Sequence, residues 1–411
     1  MIAFLVALTD EPAAVITIPT SVPSGLPIVT HKDNTARTFV TQINAEPVPI
    51  TDRAPQTLMV KAGESIQAAI DQAHPGDTIL VEPGIYTQSV YIDTPGLTVK
   101  GLVNGDERPW LDGENSRSDG FNTTGDDFVL EGFGLKRYIG NAVLTTGAER
   151  VVYRDLKIQG TDAGTVQTIY GIYPVECTDV LIEKSELTGV ADAAIYVGQS
   201  RGPITVRDNV VHGNVTGIEI ENSTYAEVYN NHAYDNTGGI LVFLLPNNPS
   251  KVGYGTRVYD NLIENNNHDN FGYVGSTVSK VPSGTGIMIM TADNTEVFHN
   301  TIQGNSTAGL ILTSLYSIYP RDTKFDLGPL PENNYIHDNT WTNNGYEPQG
   351  EAAKLGIPGA DIVWTGDGWN NAFDEPTASK MPPLLPERTW AAPAKRLVWR
   401  IYDTVFQALL S

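Results

Sequence analysis

The sequence predicts an all-β solenoid, a single-stranded parallel β-helix, on three observations. The first is an asparagine that recurs in register. In VRDNVVHGN (206–214), VYNNHAYDN (228–236), VYDNLIENN (258–266) and VFHNTIQGN (297–305), an apolar anchor is followed at plus three by Asn209, Asn231, Asn261 and Asn300. At plus eight come Asn214, Asn236, Asn266 and Asn305, and Ile336, Asn339 and Asn344 repeat the pattern. A polar side chain at one fixed phase implies stacked turns, each amide bonding the backbone or the amide one rung away. The second observation is a small residue followed by an aliphatic: Gly171-Ile172, Ala194-Ile195, Gly217-Ile218, Gly239-Ile240, Gly286-Ile287 and Gly309-Leu310. The steps from Ile172 are 23, 23, 22, 47 and 23 residues, and the long one is a turn plus insertions at about 244–256 and 268–284. The third is what this period excludes. Turns of 22–23 residues fit three short strands and three bends. They are too short for propeller blades and lack the leucine-rich consensus.

Residues 1–56 are rich in Pro and Thr without periodicity and read as a leader or extended arm, with IAFLVAL (2–8) resembling the stub of a signal segment. A strand is expected over 57–61. GESIQAAIDQAHPGD (63–77) then reads as an amphipathic helix with Ile66, Ala69 and Ile70 on its apolar face, stopped by Pro75-Gly76. Such a helix would cap the open mouth of the coil. Residues 78–93 read as strand, turn and strand, and the coil then runs to 345. In the extension 346–411, Leu397, Ile401, Val405 and Leu409 fall at four-residue steps, predicting a C-terminal helix that folds back as a cap. Exposed instead, it would offer Trp399 and Phe406 to a partner.

Composition narrows the function. With 48 acidic and 26 basic residues the net charge is -22, which argues against nucleic acid and against an anionic membrane surface. No apolar run approaches a membrane span. The single cysteine, Cys177, forms no intramolecular disulfide and reads as a small buried residue. Few Lys and Arg beside abundant Gly, Asn and Thr fit a secreted or periplasmic protein. The histidines form no HxH or HxxxH pair, and read as turn or surface residues.

The stretch AGESIQAAIDQAHPGDTILVEPGIY (62–86) resembles the N-terminal capping segment of the pectin-lyase-like right-handed parallel β-helix proteins. YGIYPVEC (170–177), AAIYVGQS (193–200), GIEIENS (217–223), NTGGILVF (236–243) and GTGIMIM (284–290) are similar to a group of exported parallel β-helix repeat proteins. The resemblance implies a right-handed coil and exported, carbohydrate-associated biology, without a defined reaction. Alginate epimerases of this fold carry Tyr-Gly-x-Asp-Pro-His-Glu. Here Tyr170-Gly171-Ile172-Tyr173-Pro174-Val175-Glu176 keeps the frame, but Tyr173 replaces the acid and Val175 the histidine. The Arg-x-Pro-x-x-Arg of pectate lyases is matched by Arg201 to Arg207 only with one residue too many, and the polygalacturonase set is missing.

Alternate strand residues point outward. With the aliphatics inward, one outward row reads Tyr173, Tyr196, Glu219, Leu241, Met288, and the next Val175, Gly198, Glu221, Phe243, Met290. Rungs about 4.8 Å apart place these side chains in one strip, which the two insertions would wall. Glu219 and Glu221, with Cα atoms roughly 6.6 Å apart, could act as general acid and base in inverting glycoside hydrolysis. A lyase would need a base, for which Arg207, Tyr196 and Lys184 are the candidates. Tyr173, Tyr196, Gln199, Phe243 and Met288 would line a saccharide site. No cofactor is required by this scheme, although Asp192 and Asn222 could help the glutamates hold Ca²⁺. The expected partner is a polysaccharide or oligosaccharide. The alternatives are a solvated acidic patch, or a non-catalytic scaffold that docks an exported protein through Phe243, Met288 and Met290.

Overall fold

The computed structural model describes residues 28–32, 38–42, 53–160, 167–354, 356, 358–388 and, near the C-terminus, 397–398, 400–402, 404–405 and 408. The signal-like residues 2–8, Trp399, Phe406 and Leu409 lie outside the described residues. Within the arm, Ile28–Lys32 pairs antiparallel with Thr38–Gln42. From Thr57 the chain winds into a coil whose turns each lay strands on parallel sheets of 12, 10 and 11 strands, called here the first, second and third. The register is the one the small-aliphatic pairs predict. Ile172, Ile195, Ile218, Ile240, Ile287 and Leu310 stand opposite one another in succession on the third sheet. All six are buried in the core inside the coil. Coiling continues beyond the expected end at 345, because Ala360–Trp364 and Ala372–Asp374 add further strands to the third and first sheets.

The asparagines form two internal ladders. In one, each Oδ1 accepts from the backbone N–H and the amide of the Asn below: Asn209 to Asn231, Asn231 to Asn261, Asn261 to Asn300 and Asn300 to Asn339, all at 2.9–3.1 Å. The residue before each is left-handed, as at Asp208, Asn230, Asp260, His299 and Asp338, so the chain bends sharply there and turns the amide inward. The ladder ends on Glu375, which accepts from both Asn339 nitrogens. The second runs from Asn214 to Asn344 and ends on Asp361. These bonds satisfy backbone groups that the bends withdraw from the sheets.

The small residue has a steric cause. A Cβ on Gly217 would sit 2.6 Å from the Gly239 carbonyl oxygen, and one on Gly239 would sit 2.6 Å from that of Gly286. Ala194 occupies the same phase, so a lone methyl is accommodated on one rung. Branching exceeds that allowance: Gly239→Val is expected to cost about 3 kcal/mol, read as a lower urea midpoint at unchanged slope.

The N-terminal helix is shorter than expected. It spans Ile66–Ile70, with the Ser65 hydroxyl accepting the Ala68 N–H at 3.2 Å. Ile66 and Ile70 are buried in the core and Ala69 packs against it, as the pattern implies. At the other end the described residues of 397–408 are helical, but Leu397, Val398, Ile401 and Val405 are exposed. The apolar stripe therefore does not fold onto the coil as a cap. The helix meets the body through Tyr402, partly buried against the core, and Arg400. Cys177 is buried and its thiol is pushed up to about 12, chiefly by that burial. Among the described residues no helix is long and apolar enough to cross a membrane.

Candidate functional site

The third sheet brings the expected strip together. Tyr196 stands opposite Glu219, Glu219 opposite Leu241 and Leu241 opposite Met288. Beside them Gly198 faces Glu221, and Glu221 faces Phe243. These side chains point out of the coil, yet the expected open strip is closed. Exposure is 7% at Tyr173, 1% at Tyr196, Glu219 and Phe243, 2% at Glu221 and 5% at Met288. The reason lies in the insertions. Leu245, Val278 and Val281 join Leu241, Phe243, Met288 and Met290 in a second apolar cluster outside the coil. Two sides of a strand are then buried instead of one, which removes apolar surface from water on both. The anchors expected for a protein partner are thus consumed by the chain itself.

Next to this apolar half lies a polar one. The rings of Tyr170, Tyr173 and Tyr196 form a triangle with centroids 4.4, 4.9 and 4.8 Å apart. Tyr273, from the second insertion, packs on it and ties down Gln167, whose N–H it accepts at 3.1 Å. Burial pushes the Tyr170 and Tyr196 phenols well above their usual range, and nearby carboxyls add to it. These carboxyls are Asp192, Glu219 and Glu221, all buried.

Glu219 is held well above the ordinary carboxyl range, first by burial, then by Glu221 and Asp192, and finally by a hydrogen bond with Glu221. Its Oε2 is buried without a hydrogen-bond partner. Glu221 accepts from the Asn248 side-chain amide, which the first insertion supplies. A hydrogen-bonded carboxyl pair lies closer than the roughly 5–9.5 Å that separates the two acids of glycosidases. Glu219 and Glu221 therefore form one proton-sharing unit rather than two acids flanking a bond. Gln199 bends back at a left-handed turn, donates its N–H to the Glu221 carbonyl at 2.8 Å, and buries an Oε1 without a partner beside this rung.

Other expected residues are placed elsewhere. Arg207 ends a strand of the first sheet, where its guanidinium binds Glu183 at 2.6 and 2.8 Å and Tyr229 at 3.4 Å. Glu183 is buried between Arg207 and Arg154, so this arginine serves an ion-pair ladder rather than the carboxyls of the third sheet. Lys184 is exposed in the turn after that sheet's preceding strand. Asn222 is also committed. Its Oδ1 accepts the Leu245 N–H at 2.7 Å, and its Nδ2 reaches the carbonyls of Leu245 and Ser250 at 2.8 and 2.6 Å. Calcium on Asn222 would have to displace this clamp. Among the described residues no three acidic, histidine or cysteine side chains are placed to hold a metal ion. Asn222→Ala is expected to release the first insertion, accelerating hydrogen exchange at Leu245 at least ten-fold and costing about 2 kcal/mol.

Sequence reasoning passed over three participants. Tyr170 was legible as a strand neighbour of Tyr173, whereas Asn248 and Tyr273 sit in insertions that carry no periodic signal.

Comparison with known proteins agrees with the architecture. The family model described as "Right handed beta helix region" matches residues 141–325. No curated protein matches the sequence. Among solved structures, the A-module of the Azotobacter vinelandii mannuronan C-5 epimerase AlgE4 is similar at a TM-score of 0.54 and 14% identity, over 79% of this chain and 93% of that one. The A-module of AlgE6 from the same organism gives 0.54 and 15%, over 78% and 91%. With the three parallel sheets and their register, these findings give the chain the fold of a right-handed parallel β-helix.

Proposed function

We propose that the chain is a secreted or periplasmic carbohydrate-active protein that takes a polysaccharide or oligosaccharide at the third sheet, with Glu219 and Glu221 as its acid–base unit. The observation that supports this reading is the orphaned oxygen of a buried acid. Glu183, equally buried, is matched by two arginines. Glu219 has no cationic partner among the described residues, and one of its oxygens accepts nothing. Such an arrangement costs stability and is characteristic of functional carboxyls. Similarity to modules of mannuronan C-5 epimerases fits a saccharide as the substrate class.

In this scheme the pair works as one acid–base unit: Glu219 gives its proton to the leaving glycosidic oxygen, and the pair takes back a proton from the water that adds, so that the C–O bond breaks as water adds and the unit is restored. Elimination is less well served. Its candidate base Arg207 belongs to the first sheet, and the buried phenols resist ionisation. Substrate entry requires the second insertion to lift from the tyrosine triangle. The test is a panel of neutral and acidic polysaccharides assayed for new reducing ends and for unsaturated products. Reducing ends that vanish in Glu219→Gln support hydrolysis. Unsaturated products would replace that reaction with elimination. A folded chain that releases nothing from any polymer leaves the non-catalytic binding protein as the better reading.

A further inference from the structure

Outside the third sheet, a cavity of about 330 Å³ opens at the C-terminal end of the coil. It lies where the last strands of the first sheet meet the returning chain. Phe373 donates its N–H to the Pro386 carbonyl at 2.8 Å, and Arg388 donates its backbone N–H to Asp374 at 2.9 Å. The walls include Asn333, Tyr335, Trp369, Asn370, Arg388 and Arg400. A volume in this range suits one or two sugar units or another small ligand.

The charge in this cavity departs from the rest of the molecule. Elsewhere all but one of the described arginines, Arg201, hold carboxylates: Arg53 holds Asp77, Arg137 holds Asp112, Arg154 and Arg207 hold Glu183, and Arg257 holds Glu296. In a chain of net charge -22 there is no shortage of acids. Arg388 and Arg400 nonetheless have no ion pair among the described residues, and both are exposed. Each lies on an aromatic ring instead, Arg388 4.5 Å from the centroid of Tyr335 and Arg400 3.8 Å from that of Trp369. The nearest candidate acid is occupied, since Asp374 accepts from the Tyr335 hydroxyl at 2.7 Å and from the Arg388 backbone. Stacking fixes the guanidinium planes, and although Arg388 also hydrogen-bonds the Tyr335 side chain, a guanidinium carries five N–H donors, enough to hold a planar anion as well.

The remaining walls are those of a sugar site. Trp369 is 41% exposed, which leaves apolar ring surface for a pyranose. Asn370 donates to Asn333 Oδ1 at 2.7 Å, holding two amides at the rim for hydroxyl groups. The nearby rings of Tyr229, Tyr259 and Phe298 offer no such surface. They stack on one another at 4.9 Å with planes 12° and 10° apart, so their faces are already covered.

We propose that this cavity binds a carboxylated sugar, the uronate unit of an acidic saccharide, with Arg388 and Arg400 on the carboxylate and Trp369 against the ring. The proposal stands on the cavity alone and not on the acid pair of the third sheet. The test is calorimetric titration of the full chain with digalacturonate and dimannuronate, with lactose and inorganic phosphate as controls. Binding of an acidic disaccharide is expected, at least ten-fold weakened by Arg388→Gln and by Arg400→Gln and unchanged by Glu219→Gln. Asn370→Asp, which adds a negative charge at the rim without touching either arginine, is expected to weaken it as well. Failure of both acidic disaccharides to bind would overturn the proposal, as would binding indifferent to both arginine variants. Equal affinity for lactose would remove the carboxylate, and equal affinity for phosphate would remove the sugar.

Discussion

Replacing Asn261 by Ala is expected to lower the unfolding free energy by about 3–5 kcal/mol, visible as a large fall in the urea midpoint. Its side chain meets five polar partners at the centre of a ladder. The two N–H groups of Nδ2 are shared among the Val228 and Tyr259 carbonyls and Asn300 Oδ1, each 2.9 Å away. Oδ1 accepts the Asn231 N–H and the Asn231 amide at 2.9 and 3.0 Å. Removing it strands the Asn231 backbone N–H in a buried place where water does not substitute, at roughly 1–3 kcal/mol for each unsatisfied group. Asp is no rescue, because it turns a donor into an acceptor facing three oxygens. A loss below about 1 kcal/mol would mean that the sheets alone hold the rungs in register, and the ladder would lose its structural role.

Glu219→Gln is expected to have the largest effect on function, lowering product release at least 100-fold, and to change how stability depends on pH. The Glu219 carboxyl is raised above its ordinary 4.5 by burial and by Glu221. Below that value both the folded and the unfolded chain carry the proton. As pH rises the unfolded chain loses it first, so unfolding releases a proton and stability falls, by up to about 1.4 kcal/mol per pH unit. The fall continues until pH passes the folded value. Gln removes that contribution, so the variant should gain on the wild type as pH rises above the ordinary carboxyl value of 4.5. Asp293, raised to about 6 mainly by burial, gives both chains a slope of the same sign. Only the difference between the two chains reports on Glu219. Parallel stability curves would show that Glu219 ionises normally in the fold, and the proton-sharing pair would be lost with it.

These two expectations come from different levels of organisation. The ladder partners of Asn261 could be named from their fixed place three residues after an apolar anchor, because a bend that recurs on every rung repeats its hydrogen-bonding need even where insertions stretch the step to 30 and 39 residues. For the same reason the inward row from Ile172 to Leu310 and the outward row from Tyr173 to Met288 could be assigned before any coordinates. Strand alternation and rung register are local and periodic, and a local periodic cause leaves a periodic trace.

The state of the outward row was a matter for the tertiary structure alone. Insertions occur once, so Leu245, Asn248 and Tyr273 leave no period to detect, yet they seal the strip and turn Glu219 from a surface acid into a buried one. Arg207 is a strand removed from Glu219 in sequence but a different sheet in space, because the coil bends between them. Arg388, Arg400 and Trp369 meet only where the last rung ends and the returning chain crosses it. Sequence alone determined the winding, which side chains stack in columns and which of them face outward. Folding in three dimensions decided what covers them, since burial depends on contacts between segments that share no repeat.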